Sequence, residues 1–291
     1  MGVEISSVGT TAVLVAQMRA LESARTDRLF TDELAHELVT AAAMGIENVT
    51  LEQVEGQRVY VSVSVRTHYL DAWCSQLLSP NAIRQVVILG AGLDTRAIRL
   101  NWLDDGLSVF EIDRSDVTEL KAQVLGIDPD ARWRGLATDL ATESWSAELH
   151  GAGFDPTAPT LFIAEGLFMY LDDVVSTDII AQIEKLSAPG SHLLGVHFGR
   201  GALIDAETQA MSAAIGKNGY GFESVIDTTP DKWLGDSWDV LSATSIAQYA
   251  PTVGRKIPYD EDAIGAEVTW MFAASLSAAK SQTSSDGSPR A

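Results

Sequence analysis

The residues best placed to do chemistry are two glycines and two carboxylates. An apolar run, Val86-Val87-Ile88-Leu89, leads into Gly90-Ala91-Gly92-Leu93-Asp94-Thr95-Arg96, the pattern of a buried strand that turns through glycines into a helix. Glycine admits backbone angles closed to other residues and lets a ligand come close, so Gly90, Ala91 and Gly92 are expected to face a nucleotide-like molecule. A second apolar run ends in Glu111-Ile112-Asp113, with Asp113 following Gly92 by 21 positions. An acid at about that spacing holds ribose hydroxyls in dinucleotide folds. Glu111 and Asp113 alternate onto one face, so the spacing leaves open which of them reaches the sugar, and a solvated strand end is the plain alternative.

Thr95 takes the third glycine position of Gly-x-Gly-x-x-Gly. Its side chain weakens both the close helix packing and the diphosphate approach that the full motif provides. The turn therefore suits adenosine without phosphate, and S-adenosyl-L-methionine (SAM) is the common ligand of that kind. A nicotinamide-linked oxidoreductase is the competing reading, opposed by the missing glycine. A SAM-binding protein without catalysis is the third.

Such groups need a frame. Periodicity predicts helices at 12–23, 32–44 and 62–78, then buried strands at 86–89, 107–112, 160–164 and 192–198 alternating with helix-length segments, which means a parallel sheet with crossover helices. Ser115 is expected to cap a helix ending at Gly126, and Asp172 one ending before Ala188-Pro189-Gly190. The segment 199–235, with a helix at 202–215, is too long for an ordinary loop and is expected to cover a site. Two last strands at 238–241 and 268–274 are expected to pair antiparallel at one edge. This gives an N-terminal helical extension (1–80), a core with its lid (81–279) and a tail (280–291).

Composition excludes several functions. Of 291 residues 46% are hydrophobic, enough for a full core. Twenty basic against forty acidic residues leave a net charge of −20, a field that repels nucleic acid and anionic membrane surfaces. The lone Cys74 forms no internal disulfide, no run reaches membrane-spanning length, and no leader is legible, so the expected location is cytoplasmic.

Four stretches carry a family resemblance: Gly90-Ala91-Gly92-Leu93-Asp94-Thr95-Arg96, Phe110-Glu111-Ile112-Asp113, Ala137-Thr138-Asp139-Leu140 and Ala164-Glu165-Gly166-Leu167-Phe168-Met169-Tyr170-Leu171. In order and spacing they resemble the leucine carboxyl methyltransferase-like family, SAM-dependent enzymes that include bacterial natural-product O-methyltransferases. The likeness spans roughly 12–198 and takes in Arg19-Ala20-Leu21-Glu22-Ser23, Leu29-Phe30-Thr31-Asp32 and Val65-Arg66-Thr67. It implies an α/β, Rossmann-like class I methyltransferase fold with a mostly parallel seven-stranded sheet and helices on both faces. It further implies that Arg66, with Arg19 as a second candidate, holds the SAM carboxylate, that Asp113 holds the ribose, that Asp139 and Leu140 border the adenine, and that Glu165 lies near the cationic end of the methionyl group. SAM becomes S-adenosyl-L-homocysteine (SAH), with no metal required.

The same assignments make chemical sense. A guanidinium fork matches a carboxylate in two places, although Arg66 could instead form a helix-surface ion pair. Asp139 could accept from an amino group or cap a helix after Leu140. Glu165 follows an apolar strand and needs a partner, which an ammonium or local backbone donors would supply. His197, at a strand end before the lid, is the one candidate base, and Tyr170 could touch the acceptor; packing is the plain alternative for each. Met211, Tyr220, Phe222 and Trp233 could cover the pocket. The lid departs most from the family, so a small-molecule methyl acceptor is expected rather than a phosphatase.

Overall fold

A computed structural model describes residues 7–42, 48–79, 82–126, 132–142, 144–216, 221–258 and 268–277. Among the described residues four α-helices precede the first strand: α1 (Ser7–Ser23), α2 (Glu33–Ala42), the one-turn α3 (Leu51–Val54) and α4 (Arg58–Leu78). α2 begins where it does because Asp32 Oδ1 accepts from the Ala35 amide at 3.1 Å, satisfying a donor that the helix itself cannot. Gly45, expected to end this helix, and the tail 280–291 lie outside the described residues.

Strands and helices then alternate: β1 (Gln85–Leu89), α5 (Arg96–Arg99), β2 (Ser108–Asp113), α6 (Ser115–Leu125), β3 (Trp133–Ala137), α7 (Ser144–Gly151), β4 (Thr160–Glu165), α8 (Asp173–Leu186), β5 (His192–Phe198), α9 (Ala206–Gly216), α10 (Pro230–Leu234), β6 (Trp238–Ser245), α11 (Ile246–Tyr249) and β7 (Thr269–Leu276). Asp172 caps α8 as expected, accepting from the Val175 amide at 2.8 Å, and the stripe Ile179, Ile183 and Leu186 is buried. Two expectations need correction. Ser115 is the first helical residue of α6 and Arg114 holds the cap position, while Gly126 ends the helix in the left-handed region. The lid helix predicted at 202–215 is split: a 3₁₀ turn at Arg200–Leu203 precedes α9. Asp205 makes the break, accepting from the Thr208 amide at 2.9 Å and its hydroxyl at 2.7 Å.

The seven strands form one sheet in the order β3-β2-β1-β4-β5-β7-β6, parallel except for β7, which runs antiparallel to β5 and β6. Both faces are covered, which is why β1 is buried along its whole length. Alternation sends Val86 and Ile88 towards Val65, Leu70 and Cys74 of α4, and Val87 and Leu89 towards Trp145 of α7 and Ile179 and Ile183 of α8. The expected Rossmann-like α/β frame is thus present. β1 has β2 on one side and β4 on the other, so the connections leaving β1 and β4 diverge and open a crevice at their carboxyl ends. Among the described residues, no helix is long and apolar enough to cross a membrane.

Candidate active site

Every candidate ligand from the sheet strands falls at the carboxyl end of the sheet. β1 runs into Gly90 and Gly92, at φ +61° and +52°, where side chains are strained. A Cβ at Gly90 would also stand 3.0 Å from Leu167 Cδ1, so the turn after β1 and the loop after β4 touch only because this residue lacks one. Asp113, the last residue of β2, accepts from the Gly92 amide at 2.6 Å and the Arg114 amide at 2.7 Å. Burial raises its pKa against the pull of those two amides. Glu111 points elsewhere: it is buried against Lys121 of α6, and burial raises its pKa too. Asp113 is therefore the carboxylate that stands at the glycine turn.

Across the crevice, Arg66 of α4 donates through Nε to Glu165 Oε1 at 2.9 Å. The other carboxylate oxygen, Oε2, lies 2.7 Å from Nη2 of Arg96, an ion contact whose angle makes it no directed hydrogen bond. Arg96 is 2% exposed. It also donates to Asp94 and, at 2.7 Å, to Asp71, while Arg99 grips both oxygens of Asp71 at 2.7 and 2.8 Å. Burial opposes the charge on Arg96, yet Asp94, Glu165 and Asp71 outweigh it and raise its pKa. Asp94 is likewise held below the usual carboxylate range by Arg96 foremost, despite burial.

Arg19 reaches the same turn from outside. Its Nη2 donates to the Leu93 carbonyl at 2.6 Å and its Nε to Asp32 at 2.8 Å, so it clamps α1 onto the backbone after Gly92. Asp139 stands exposed beyond β3 and accepts from the Ala141 amide at 2.9 Å; α7 starts only at Ser144, so Asp139 caps no helix directly after Leu140. Leu140 is buried against the core beneath it.

His197 is 1% exposed, packed by Phe168 and Trp233 with ring centroids 5.9 and 5.3 Å away. Its Nδ1 accepts from the Phe198 amide at 2.8 Å, which leaves Nε2 protonated and facing Ser224 Oγ at 3.4 Å. Burial depresses its pKa to about 3. Tyr170 sits half-buried in the short turn after β4, near enough to Arg66 for that charge to oppose, without reversing, the rise that burial imposes on its hydroxyl. Phe222 and Met211 join it in one apolar cluster. Trp233 instead packs in the core on Phe168 and Phe272, and Tyr220 lies outside the described residues.

Sequence reasoning assigned no role to Arg96, Arg99, Asp71 or Asp32, which connect Arg66 and Glu165 to Arg19. A signal was available: Asp71 and Arg66 are two of only three charged residues in α4, RVYVSVSVRTHYLDAWCSQLL, the third being Arg58 at its start. Charges in so apolar a helix must find partners in the core.

The donor set matches SAM in chemical terms. A guanidinium and a carboxylate side by side complement an amino acid's carboxylate and ammonium, an acid at the glycine turn suits a ribose diol, and the positive-φ glycines make a turn of bare backbone that a ligand can approach closely. Among the described residues, no cluster of His, Cys, Asp or Glu is arranged to hold a metal ion.

Known proteins resemble the chain in sequence and in fold. A protein of Mycobacterium sp. strain KMS, provisionally named an S-adenosyl-L-methionine-dependent methyltransferase, is 35% identical over 283 residues, covering 91% of this chain and 93% of its own. A Streptomyces avermitilis protein provisionally given the same activity is 37% identical over 264 residues, with 88% and 91% covered. In fold, the chain is similar to a DUF574 family protein of Streptomyces avermitilis (TM-score 0.61, 13% identity, 90% of this chain and 97% of that one). It is also similar to a provisionally named methyltransferase of Thermobifida fusca (TM-score 0.58, 17% identity, 90% and 94%). The sequence pattern of the leucine carboxyl methyltransferase family matches residues 12–184. Motifs, sheet order and relatives together make this chain a member of the leucine carboxyl methyltransferase family, and thus a SAM-dependent methyltransferase.

Proposed function

We propose that the chain is a cytoplasmic O-methyltransferase that esterifies a carboxylate of a small metabolite, in natural-product biosynthesis. The observation that carries the donor site is the Arg66–Glu165 pair at the end of β4, facing the glycine turn. In this reading Arg66 takes the donor's carboxylate, Glu165 its ammonium, Asp113 its ribose hydroxyls, and Asp139 and Leu140 border its base. When bound, SAM supplies a methyl group on a sulfonium, ready for in-line displacement. The chain's part is orientation and exclusion of water, which can contribute roughly 7–11 kcal/mol without a covalent intermediate.

Carboxylate is favoured over hydroxyl by the state of the two candidate bases. His197 has one nitrogen committed to a backbone amide and the other protonated. Tyr170, with its pKa raised, stays protonated at neutral pH. A phenol or alcohol would need a base worth about 10²–10⁴-fold, whereas a carboxylate is already ionised. The oxidoreductase reading is further weakened because α5 has only four residues, too short a helix to present a positive end to a diphosphate.

The experiment is transfer from methyl-labelled SAM to a metabolite extract and to a panel of carboxylic acids, phenols and amines, followed by mild alkali. An ester releases its label as methanol, and ethers and N-methyl groups do not. Label that survives alkali overturns the carboxylate assignment. SAM binding without labelling of any acceptor would support the non-catalytic reading instead.

A further inference from the structure

We propose that Arg96 is a positioning residue: it anchors one oxygen of Glu165 so that the other stays in place for the donor's ammonium when Arg66 turns to the donor's carboxylate. The proposal rests on the donor-site reading above and adds to it a residue that touches no ligand.

Each nitrogen of the Arg96 guanidinium faces a different carboxylate. Nε lies 2.7 Å from Asp71 Oδ1, Nη1 binds Asp94, and Nη2 lies 2.7 Å from Glu165 Oε2. Those acids belong to α4, the glycine turn and the end of β4, so a single planar group ties together the three walls of the crevice. A lysine ammonium on its flexible stem cannot hold three carboxylates in one plane. The division of labour follows exposure. The side chains of Arg66 and Glu165 are 14% and 12% exposed and that of Arg96 is 2%, so the outer pair meets water and the anchor does not.

Glu165 is held by two different cations through two different oxygens. Arg66 uses only Oε1, so its departure frees that oxygen while Oε2 remains with Arg96. Charge supports the exchange. Arg19, Arg66, Arg96 and Arg99 balance Asp32, Asp71, Asp94 and Glu165, and a zwitterion inserted between Arg66 and Glu165 adds no net charge to a buried network.

Three ligands separate the roles by titration of the full chain: SAH, decarboxylated SAM, which has the ammonium without the carboxylate, and 5′-methylthioadenosine, which has neither. Arg96→Lys should weaken the first two by about tenfold, the loss of one close contact between buried charges, and methylthioadenosine by less than about twofold. Arg66→Gln should weaken SAH and spare decarboxylated SAM. Asp71→Asn removes the charge of one Arg96 anchor at nearly constant shape and should repeat the Arg96→Lys selectivity at about threefold, which keeps the test open if Arg96→Lys does not fold. Equal weakening of all three ligands, or no loss for the two that carry an ammonium, overturns the role of Arg96. If the unmutated chain binds none of the three, the donor-site reading itself falls, and the proposal with it.

Discussion

Asp113 and Gly92 are joined by a hydrogen bond of 2.6 Å from the glycine amide to Oδ2, and Oδ1 accepts from Arg114 at 2.7 Å. The acid at the end of β2 thereby sets the path of the turn at the end of β1, and any change to it acts on fold and site together. Asp113→Ala strips the acceptor from two amides, and each such loss costs about 1–3 kcal/mol. Asp113→Asn keeps the shape and one accepting oxygen, so it should melt closer to the unmutated chain. Both should weaken SAH by about tenfold or more, since a neutral amide is a poorer acceptor for two sugar hydroxyls. Calorimetric titration beside thermal melting separates the effects, and undiminished affinity in both variants would remove Asp113 from the donor site.

His197 makes an acid-sensitive contribution to stability. Its pKa falls from 6.5 to about 3 on folding because the site is desolvated. Above pH 6.5 folded and unfolded chains both hold it neutral, and its contribution is fully present. Below that, the unfolded chain takes up a proton that the folded chain refuses, and stability is lost as the pH falls towards about 3, at up to ~1.4 kcal/mol per pH unit. Between pH 7.5 and 5.5 the melting temperature should drop less for His197→Gln than for the unmutated chain. His192, whose pKa burial also lowers, acts in the same direction in both. The variant should keep its turnover as well; a loss of about a hundredfold would instead assign His197 as a base.

What the sequence made legible was whatever depends on local pattern. The continuous apolar runs of β1, β4 and β5, the Asp172 cap and the left-handed glycines were readable because each is fixed within a few residues. β3 escaped because its residues, Trp133-Arg134-Gly135-Leu136-Ala137, lie at the sheet edge and offer no unbroken apolar run. The expectation of one unbroken helix over 202–215 overlooks Asp205, which accepts from the amide three residues on just as Asp172 does and so carried an equally local signal. The ion network was invisible for another reason. Arg96 meets Asp71 across 25 positions, and Arg66 meets Glu165 across 99, so only the packing of α4 against the sheet brings them together.

Arg58 fastens the segment around α9 to α4, the helix that covers the sheet. It stands at the start of α4 and pairs with Asp205, which is fully buried at the cap of α9, and with Glu207 at 3.2 Å. Breaking a buried pair from one side costs about 3–5 kcal/mol, and the two Thr208 bonds that remain on Asp205 put Arg58→Ala at the low end. The variant should be cut faster by protease within 200–216 while the sheet stays intact, read by mass spectrometry of the fragments. Equal protease resistance would mean that the other contacts of this segment hold it without Arg58.

Phe222 is expected to act on the acceptor and not on the donor. Its ring lies 5.3 Å from that of Tyr170 and 4.6 Å from that of Phe198, edge to face with the latter. The backbone around it cannot follow if the ring is removed. Glu223 donates to the Met169 carbonyl at 2.8 Å, Ile226 to the Phe198 carbonyl at 2.8 Å, and the Ser224 hydroxyl to the Phe168 carbonyl at 3.0 Å. Phe222→Ala therefore leaves a space instead of a collapsed segment. A small acceptor then loses an apolar wall, and its KM should rise by about tenfold, in line with the ~1.5–3 kcal/mol attached to burying such a side chain. The affinity for SAH should not change, because Arg66, Glu165 and Asp113 are untouched. An acceptor larger by one ring should lose less, since it fills the space. A change in SAH affinity matching the change in KM would place Phe222 at the donor instead.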